Sequence, residues 1–180
     1  GTQVAYSNIE GKSFIINITT GAKETLPVID GYRAIWSPDG KEIAFASDRR
    51  GNFDIYTVPA EGGNPKRLTT HSASETPWSY TPDGKKIVFS AKIQDPASSV
   101  LFPKSTMTEL YAVSREGGRA EQILATPAEE VSFLGTDKKF VYQDKKGGEN
   151  IWRKHHTSSI TRDIWLYNNG KHTKLLHRII

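Results

Sequence analysis

Short apolar segments alternate along the chain with clusters of Gly, Asp, Asn and Pro. Ile43-Ala-Phe, Ile55-Tyr-Thr-Val and Ile87-Val-Phe are three of these segments, and their β-branched and aromatic residues favour strands. No long window shows the 3.6-residue apolar period of an amphipathic helix. The pattern therefore predicts an all-β protein that is built from short strands joined by tight turns.

The apolar segments belong to a longer repeat. Residues 37–46 read Ser-Pro-Asp-Gly-Lys-Glu-Ile-Ala-Phe-Ala, and residues 81–90 read Thr-Pro-Asp-Gly-Lys-Lys-Ile-Val-Phe-Ser, at an offset of 44 positions. A second element recurs at an offset of 55 positions, in residues 54–63 and 109–118. Each of these segments contains a Tyr-x-Val motif and ends in Glu-Gly-Gly. The longer offset predicts an insertion of 11 residues, for which the Pro- and Ser-containing stretch 94–106 is the natural place.

Two further parts of the chain match this repeat less closely. Residues 138–142, Lys-Lys-Phe-Val-Tyr, align with the strand that follows each Pro-Asp-Gly, and residues 163–167, Asp-Ile-Trp-Leu-Tyr, align with residues 54–58. Near the start of the chain, the segments beginning at Val4 and at Phe14 look like the later part of another unit. The chain therefore contains about three full units and a partial one.

A repeat of 44 residues with four strands per unit is typical of a β-propeller blade. We predict an all-β propeller of four-stranded antiparallel blades, present as about three full blades plus a partial one, in a single domain over residues 1–180. The approximate units are 1–30 (partial), 31–72, 73–127 and 128–180.

Asp39 and Asp83, each followed by Gly, could be interpreted as repeated catalytic or metal-binding carboxylates. Asp-Gly is also a strong turn signal, because both residue types tolerate turn conformations that others avoid. Carboxylates one blade apart would in addition lie too far from each other to act as an acid/base couple. We therefore expect structural turns here, and likewise at the Gly-Gly pairs 62–63 and 117–118.

The composition excludes several kinds of functional site and a membrane-spanning helix. The 180 residues include no cysteine, which excludes disulfides, Cys-ligated metals and thiol nucleophiles. No apolar run approaches the ~20 residues of a membrane-spanning helix, so no membrane span is expected.

The formal net charge is +4, and residues 138–178 alone contain ten Lys or Arg against three Asp or Glu. Because these charges are spaced through predicted strands rather than clustered, we expect a solvated blade face and no nucleic-acid partner.

The repeat resembles a known family. The run Ser37-Pro-Asp-Gly-Lys-Glu-Ile-Ala-Phe-Ala-Ser-Asp-Arg-Arg-Gly-Asn-Phe-Asp-Ile-Tyr is similar to the Pro-Asp-Gly propeller repeat of TolB, which also occurs in tricorn-type proteases and prolyl-oligopeptidase relatives. The segment Arg153-Lys-His-His-Thr-Ser-Ser-Ile-Thr-Arg-Asp-Ile-Trp resembles part of the propellers of bacterial tricorn-like peptidases. The chain departs from this family in showing fewer than four blades, where the family has six or seven.

The resemblance implies an exported, periplasmic protein whose propeller binds peptides or gates their access to a proteolytic chamber. In that family the serine nucleophile lies in a downstream domain, so no catalytic residue is expected in this chain. The leading prediction is a non-catalytic peptide- or protein-binding module, the N-terminal part of an exported tricorn-like serine peptidase. A TolB-like scaffold that docks a partner protein is the alternative, and a metal-dependent propeller lyase is a minor one.

The basic segment near the end of the chain supplies the candidate contacts for a ligand: Lys154, His155, His156 and Arg162. His155 and His156 suggest a metal, but neighbouring residues on a strand point to opposite faces. A third ligand would also be needed, and His172 and His177 are candidates only by their proximity in the sequence. Ser158 and Ser159 near His156 suggest a nucleophile and its base, but a triad also needs a third orienting group and an oxyanion hole, and no Gly-x-Ser-x-Gly elbow occurs in the chain. We therefore expect no catalytic, metal or cofactor site, and an acidic partner or peptide carboxylate as the ligand of Lys154 or Arg162.

Aromatic residues could instead form a stacking platform for a sugar or a single-stranded nucleic acid. Most of them occupy equivalent positions of the repeat, which packing between blades requires, and Trp78 is the one that fits this pattern least. An incomplete propeller also exposes strand edges and apolar blade faces. Self-association through these unclosed faces is a further expectation.

Overall fold

The computed structural model describes residues 2–7, 12–93, 107–144 and 162–176. All regular structure in these residues is β-strand, and the described part of the chain has no helix that could cross a membrane. The strands are β1 (Gln3–Ser7), β2 (Lys12–Asn17), β3 (Lys23–Asp30), β4 (Tyr32–Trp36), β5 (Glu42–Ser47), β6 (Asp54–Pro59), β7 (Lys66–Arg67), β8 (Glu75–Tyr80), β9 (Lys86–Ala91), β10 (Glu109–Ser114), β11 (Glu121–Leu124), β12 (Ala128–Thr136), β13 (Lys139–Asp144), β14 (Ile164–Asn168) and β15 (Lys171–Leu176).

These strands form four antiparallel sheets in which sequence neighbours are also spatial neighbours. The first sheet has three strands, β1 to β3, and the described strands of the other sheets are β4 to β7, β8 to β11 and β12 to β15. The fold-class prediction is therefore confirmed: the described residues form an unclosed partial β-propeller with three four-stranded sheets and one three-stranded sheet. By the sequence repeat, β1 to β3 correspond to the second, third and fourth strands of the other sheets.

The Pro-Asp-Gly segments form the turns that join the first two strands of a blade. The Asp39 carboxylate accepts hydrogen bonds from the Ser37 hydroxyl at 2.5 Å and from the Lys41 amide at 3.1 Å, and Asp83 makes the equivalent pair of bonds one blade later. Gly40 adopts a φ of 69°, a left-handed conformation that glycine adopts without strain. Asp39 and Asp83 are thus turn residues, as expected.

The core lies between the sheets, and each interface joins an aromatic face to an aliphatic one. On the third sheet, Phe89 and Tyr111 stack at 5.9 Å and pack with Ala44 and Ile55 of the second sheet. The second sheet presents an equivalent stacked pair of rings to Ile15 of the first sheet. The repeat in sequence therefore becomes a repeat in packing.

The two outermost sheets each leave one face without a neighbouring sheet among the described residues. On the first sheet this is an aromatic face, with Tyr6 and Phe14 stacked at 5.3 Å and Val4 exposed. On the fourth sheet it is an aliphatic face that includes Val141 paired with Leu166. The uncovered aromatic face of the first sheet and the uncovered aliphatic face of the fourth sheet are therefore of the two kinds that pack together inside the molecule.

Candidate ligand-binding surface at the propeller axis

The first strands of the three four-stranded sheets share a local irregularity. In β4 the pairing register shifts between Tyr32 and Ile35, and equivalent shifts occur in β8 and in β12. Such a β-bulge inserts an extra residue, bends the strand and redirects a side chain. Because β4, β8 and β12 lie side by side, the three bulges come together on one surface.

Two residues at these bulges have an unusual backbone conformation. Arg33 in β4 has a φ of 55° and Glu130, at the equivalent position of β12, has a φ of 56°. Positive φ is uncommon for residues other than glycine and costs about 1–3 kcal/mol when the surrounding structure imposes it. The equivalent residue of β8 is Pro77, whose ring fixes φ at a negative value, so in that strand Trp78 occupies the bulge.

Arg33 is held by its neighbours in a defined orientation. Its guanidinium carbon lies 3.9 Å from the centre of the Trp78 ring, and its Nε donates a hydrogen bond to the Tyr32 hydroxyl at 3.1 Å. Its Nη2 lies 3.8 Å from Oε1 of Glu130. Arg33 and Glu130 belong to sheets that are not neighbours, so their contact across the third sheet places them close to the propeller axis.

Exposed aromatic side chains lie beside this cluster. Tyr32 is 52% exposed and Phe53 is 36% exposed, and their rings meet edge to face at 6.4 Å. We call the five residues Tyr32, Arg33, Phe53, Trp78 and Glu130 the axial patch. Tyr, Trp and Arg are enriched where proteins bind other proteins, because they combine a large apolar area with hydrogen-bonding groups.

A second concave region is a groove of about 680 Å³ between the second and third sheets. One of its walls contains the Glu75 carboxyl group, which is almost fully buried and accepts a hydrogen bond from the Thr69 hydroxyl. Burial raises the pKa of this carboxyl to about 7, and the nearby Asp54 carboxylate adds to the effect. The residues that line the groove are Thr69, Thr70, His71, Glu75, Ile93, Tyr111, Gly118, Arg119, Ala120 and Gln122.

Comparison with known proteins identifies the family. The profile described as the tricorn protease N-terminal β-propeller domain matches residues 5–178. The chain belongs to this family. The family resemblance drawn from the Pro-Asp-Gly repeat is therefore confirmed.

Known relatives of this tricorn-type propeller are much longer than the chain. An uncharacterized peptidase, YuxL of Bacillus subtilis, is 34% identical over 107 residues, a match that covers 52% of the chain and 16% of the relative. The Tol-Pal system protein TolB of Francisella tularensis is 36% identical over 52 residues, or 29% of the chain and 12% of that protein. The crystal structure of TolB from Acinetobacter baumannii superposes with a TM-score of 0.70 at 20% identity over 97% of the chain and 40% of the TolB chain, a likeness of fold alone.

The ligand contacts predicted from the sequence are only partly visible in the tricorn-type propeller. Lys154, His155 and His156 lie outside the described residues. Arg162 precedes β14 and is half exposed, and its Nη1 forms an ion pair with Glu129 and donates a hydrogen bond to Gln143 at 3.0 Å. In this arrangement Arg162 links strands within its own sheet, and a role in ligand binding stays a prediction.

The histidines considered as metal ligands lie mostly outside the described part of the tricorn-type propeller. Its residues include no cluster of three His, Asp or Glu side chains that could hold an ion. His172, a candidate third ligand by its position in the sequence, is hydrogen-bonded to the Tyr142 hydroxyl at 2.9 Å. The other candidates, His155, His156 and His177, lie outside the described residues.

The axial patch was not predicted from the sequence. Trp78 is the aromatic residue that fits the repeat least, and the structure shows it half-buried against the core between the third and fourth sheets, with Arg33 stacked on its ring. Arg33 and Glu130 give no signal in the sequence, because they and Pro77 occupy equivalent positions of the repeat with unrelated side chains. A repeat alignment finds what is shared between blades, and this surface depends on what differs between them.

Proposed function

We propose that this propeller is a non-catalytic module that binds a peptide or protein segment at the axial patch. The observation that supports the proposal most directly is the exposure of Tyr32 and Phe53 beside an arginine whose orientation is already fixed by Trp78. Aromatic and arginine side chains in such a cluster contribute most of the binding energy in many interfaces. An arginine that is ordered before binding also loses less conformational entropy when a ligand arrives.

A binding assay with matched variants tests this proposal. Fluorescence anisotropy would measure the affinity of the folded chain for peptides selected from a labelled library. We expect Phe53→Ala and Tyr32→Ala each to weaken binding by about tenfold or more, the usual size of a hot-spot effect. Ile18→Ala is the control, because Ile18 is also an exposed apolar residue but lies in the turn between β2 and β3, away from the patch.

Two outcomes would contradict the proposal. One is that no peptide in the library binds the folded chain. The other is that Ile18→Ala reduces the affinity as much as Phe53→Ala does, since the effect would then come from general surface hydrophobicity.

In our proposal the parent protein is an exported, tricorn-like serine peptidase with this propeller near its N-terminus. Membership of the tricorn propeller family supports this view, as does the peptidase name of the Bacillus subtilis relative. The gene itself provides the test. A secretion signal before the propeller and a serine peptidase domain after it are expected, whereas a stop codon soon after that of Ile180 would contradict the proposal.

A TolB-like docking scaffold in the periplasm is the second candidate, favoured by the sequence match to TolB of Francisella tularensis. The two functions differ in their ligand: a peptidase propeller would bind many unfolded peptides, and a scaffold would bind one folded partner. The peptide assay above therefore separates them. A single partner that is recovered from a periplasmic extract, together with no peptide binding, would favour the scaffold.

A further inference from the structure

The ion pair between Arg33 and Glu130 contributes little to stability. Its closest distance is 3.8 Å, which is too long for a hydrogen bond, and the two side chains are 37% and 49% exposed. Exposed pairs of this kind contribute little or nothing measurable to stability. Both residues nevertheless keep a positive φ, whose cost is of the same size or larger. The arrangement is therefore not explained by the stability of the fold.

Arg33 has unused hydrogen-bonding capacity in a fixed position. Its Nε is occupied by the Tyr32 hydroxyl and one face of its guanidinium group by the Trp78 ring. Within the described residues, its two terminal nitrogens make no hydrogen bond, and the Glu130 carboxylate is their nearest acidic neighbour. The terminal nitrogens of arginine form a planar fork that binds a carboxylate through two parallel hydrogen bonds.

Glu130, in contrast, is held loosely. Its contact with Arg33 is the single polar contact that the described residues provide for its side chain, and about half of that side chain faces solvent. The carboxylate can thus move away from Arg33 at small cost. Arg33 is therefore ordered like a group that receives a ligand. Glu130 is a weakly held carboxylate that occupies the place of the ligand and that a ligand can displace.

We propose that the axial patch selects acidic peptides, and that a ligand carboxylate replaces Glu130 on the terminal nitrogens of Arg33. This inference rests on the proposed peptide-binding function and adds the chemical class of the ligand. Tyr32 and Phe53 would pack on the apolar groups that flank the ligand carboxylate.

The test uses three labelled peptides of one sequence. The first contains internal Glu residues and an amidated C-terminus, the second has those Glu residues replaced by Gln, and the third is the Gln peptide with a free C-terminal carboxylate. We expect the Glu peptide to bind about tenfold more tightly than the amidated Gln peptide, because hydrogen bonds from an arginine to a charged carboxylate are stronger than those to a neutral amide. Tight binding of the third peptide alone would identify a terminal carboxylate as the ligand and would overturn the choice of acidic side chains.

Variants of the ion pair give the sharper readout. Arg33→Gln should remove the preference for the Glu peptide, while Glu130→Gln should increase affinity for it several-fold, because the competing internal carboxylate is gone. Arg33→Gly is a second variant in which the positive φ is relieved, so a loss of preference there cannot be attributed to strain. Lys171→Gln is the control, because it removes an exposed positive charge on β15, outside both the axial patch and the groove.

The outcomes distinguish this inference from the function on which it rests. If peptides bind but Glu and Gln peptides bind equally, the inference is wrong and peptide binding stands. If Glu130→Gln weakens the Glu peptide as much as Arg33→Gln does, Glu130 is part of the binding site rather than a competitor, and the inference is again wrong. If no peptide binds at all, the proposed function fails first.

Discussion

Glu75 shows how a single buried group can control the pH dependence of this fold. Its carboxyl lies at the start of β8 beneath the groove between the second and third sheets, and its backbone amide donates to the Phe53 carbonyl at 2.7 Å. Burial is the main reason why its pKa is about 7 instead of the usual 4.5. The folded state therefore favours the protonated form, and ionisation favours the unfolded state.

We predict that the free energy of unfolding decreases as the pH rises from about 4.5 to about 7, because the unfolded chain ionises Glu75 first. The decrease from this residue should reach about 3 kcal/mol, since each pKa unit corresponds to about 1.4 kcal/mol. Glu75→Gln should abolish this contribution. Urea denaturation at several pH values measures it, with the exposed Glu61→Gln as control. An equal decrease in Glu75→Gln and wild type would contradict the assignment.

At the scale of secondary-structure elements, Gly31 allows β4 to approach β5 closely. A Cβ atom at Gly31 would lie 2.4 Å from the Ala46 carbonyl oxygen and 2.6 Å from the Phe45 ring, distances at which the strands or the ring must move. Gly40, in the turn between the same two strands, has open space around it but a φ of 69°. The two glycines thus separate the effect of packing from the effect of backbone conformation.

We predict that Gly31→Ala lowers the free energy of unfolding by about 2–4 kcal/mol, as expected for a change that overpacks the interior. Gly40→Ala should cost only about 1–2 kcal/mol, because its left-handed conformation is strained but nothing clashes. Chemical denaturation of both variants measures the difference. A Gly31→Ala protein as stable as Gly40→Ala would mean that β4 is free to move away from β5.

The sequence predicted the strands and turns well because their causes are local. The Pro-Asp-Gly turns need only the few residues around Asp39 and Asp83, and each strand needs only its own apolar pattern. The axial patch has a different origin, since the position of Arg33 depends on a bulge in the pairing of β4 with β5 and on Trp78 from another sheet. The predicted contacts Lys154, His155 and His156 lie outside the described residues, and they stay predictions.

At the scale of the whole molecule, the uncovered apolar faces of the first and fourth sheets should promote association with other copies of the chain. The Tyr6–Phe14 pair stacks like the Phe45–Tyr56 pair that is buried inside the molecule, and Val4 beside it is exposed. Each buried aliphatic side chain contributes about 1.5–3 kcal/mol. A face of this kind in contact with water favours association with a complementary face, and the fourth sheet of another copy offers one.

We predict that the isolated 180-residue chain self-associates head to tail in a concentration-dependent way. Light scattering coupled to size-exclusion chromatography should give masses above 20.0 kDa that increase with concentration. Val4→Glu should shift the equilibrium toward monomer, and Ile18→Glu, at an exposed site away from the faces, should not. A stable monomer at all concentrations would contradict this prediction.

The central claim is that the surface formed by β4, β8 and β12 at the propeller axis binds peptide, and hydrogen–deuterium exchange tests it most directly. When a bound peptide covers the axial patch, amide exchange should slow in the bulged parts of these three strands, around Arg33, Trp78 and Glu130. The outer strands β7 and β11 should exchange as they do without peptide. Protection that is confined to the outer strands, or to the groove beside Glu75, would contradict the claim.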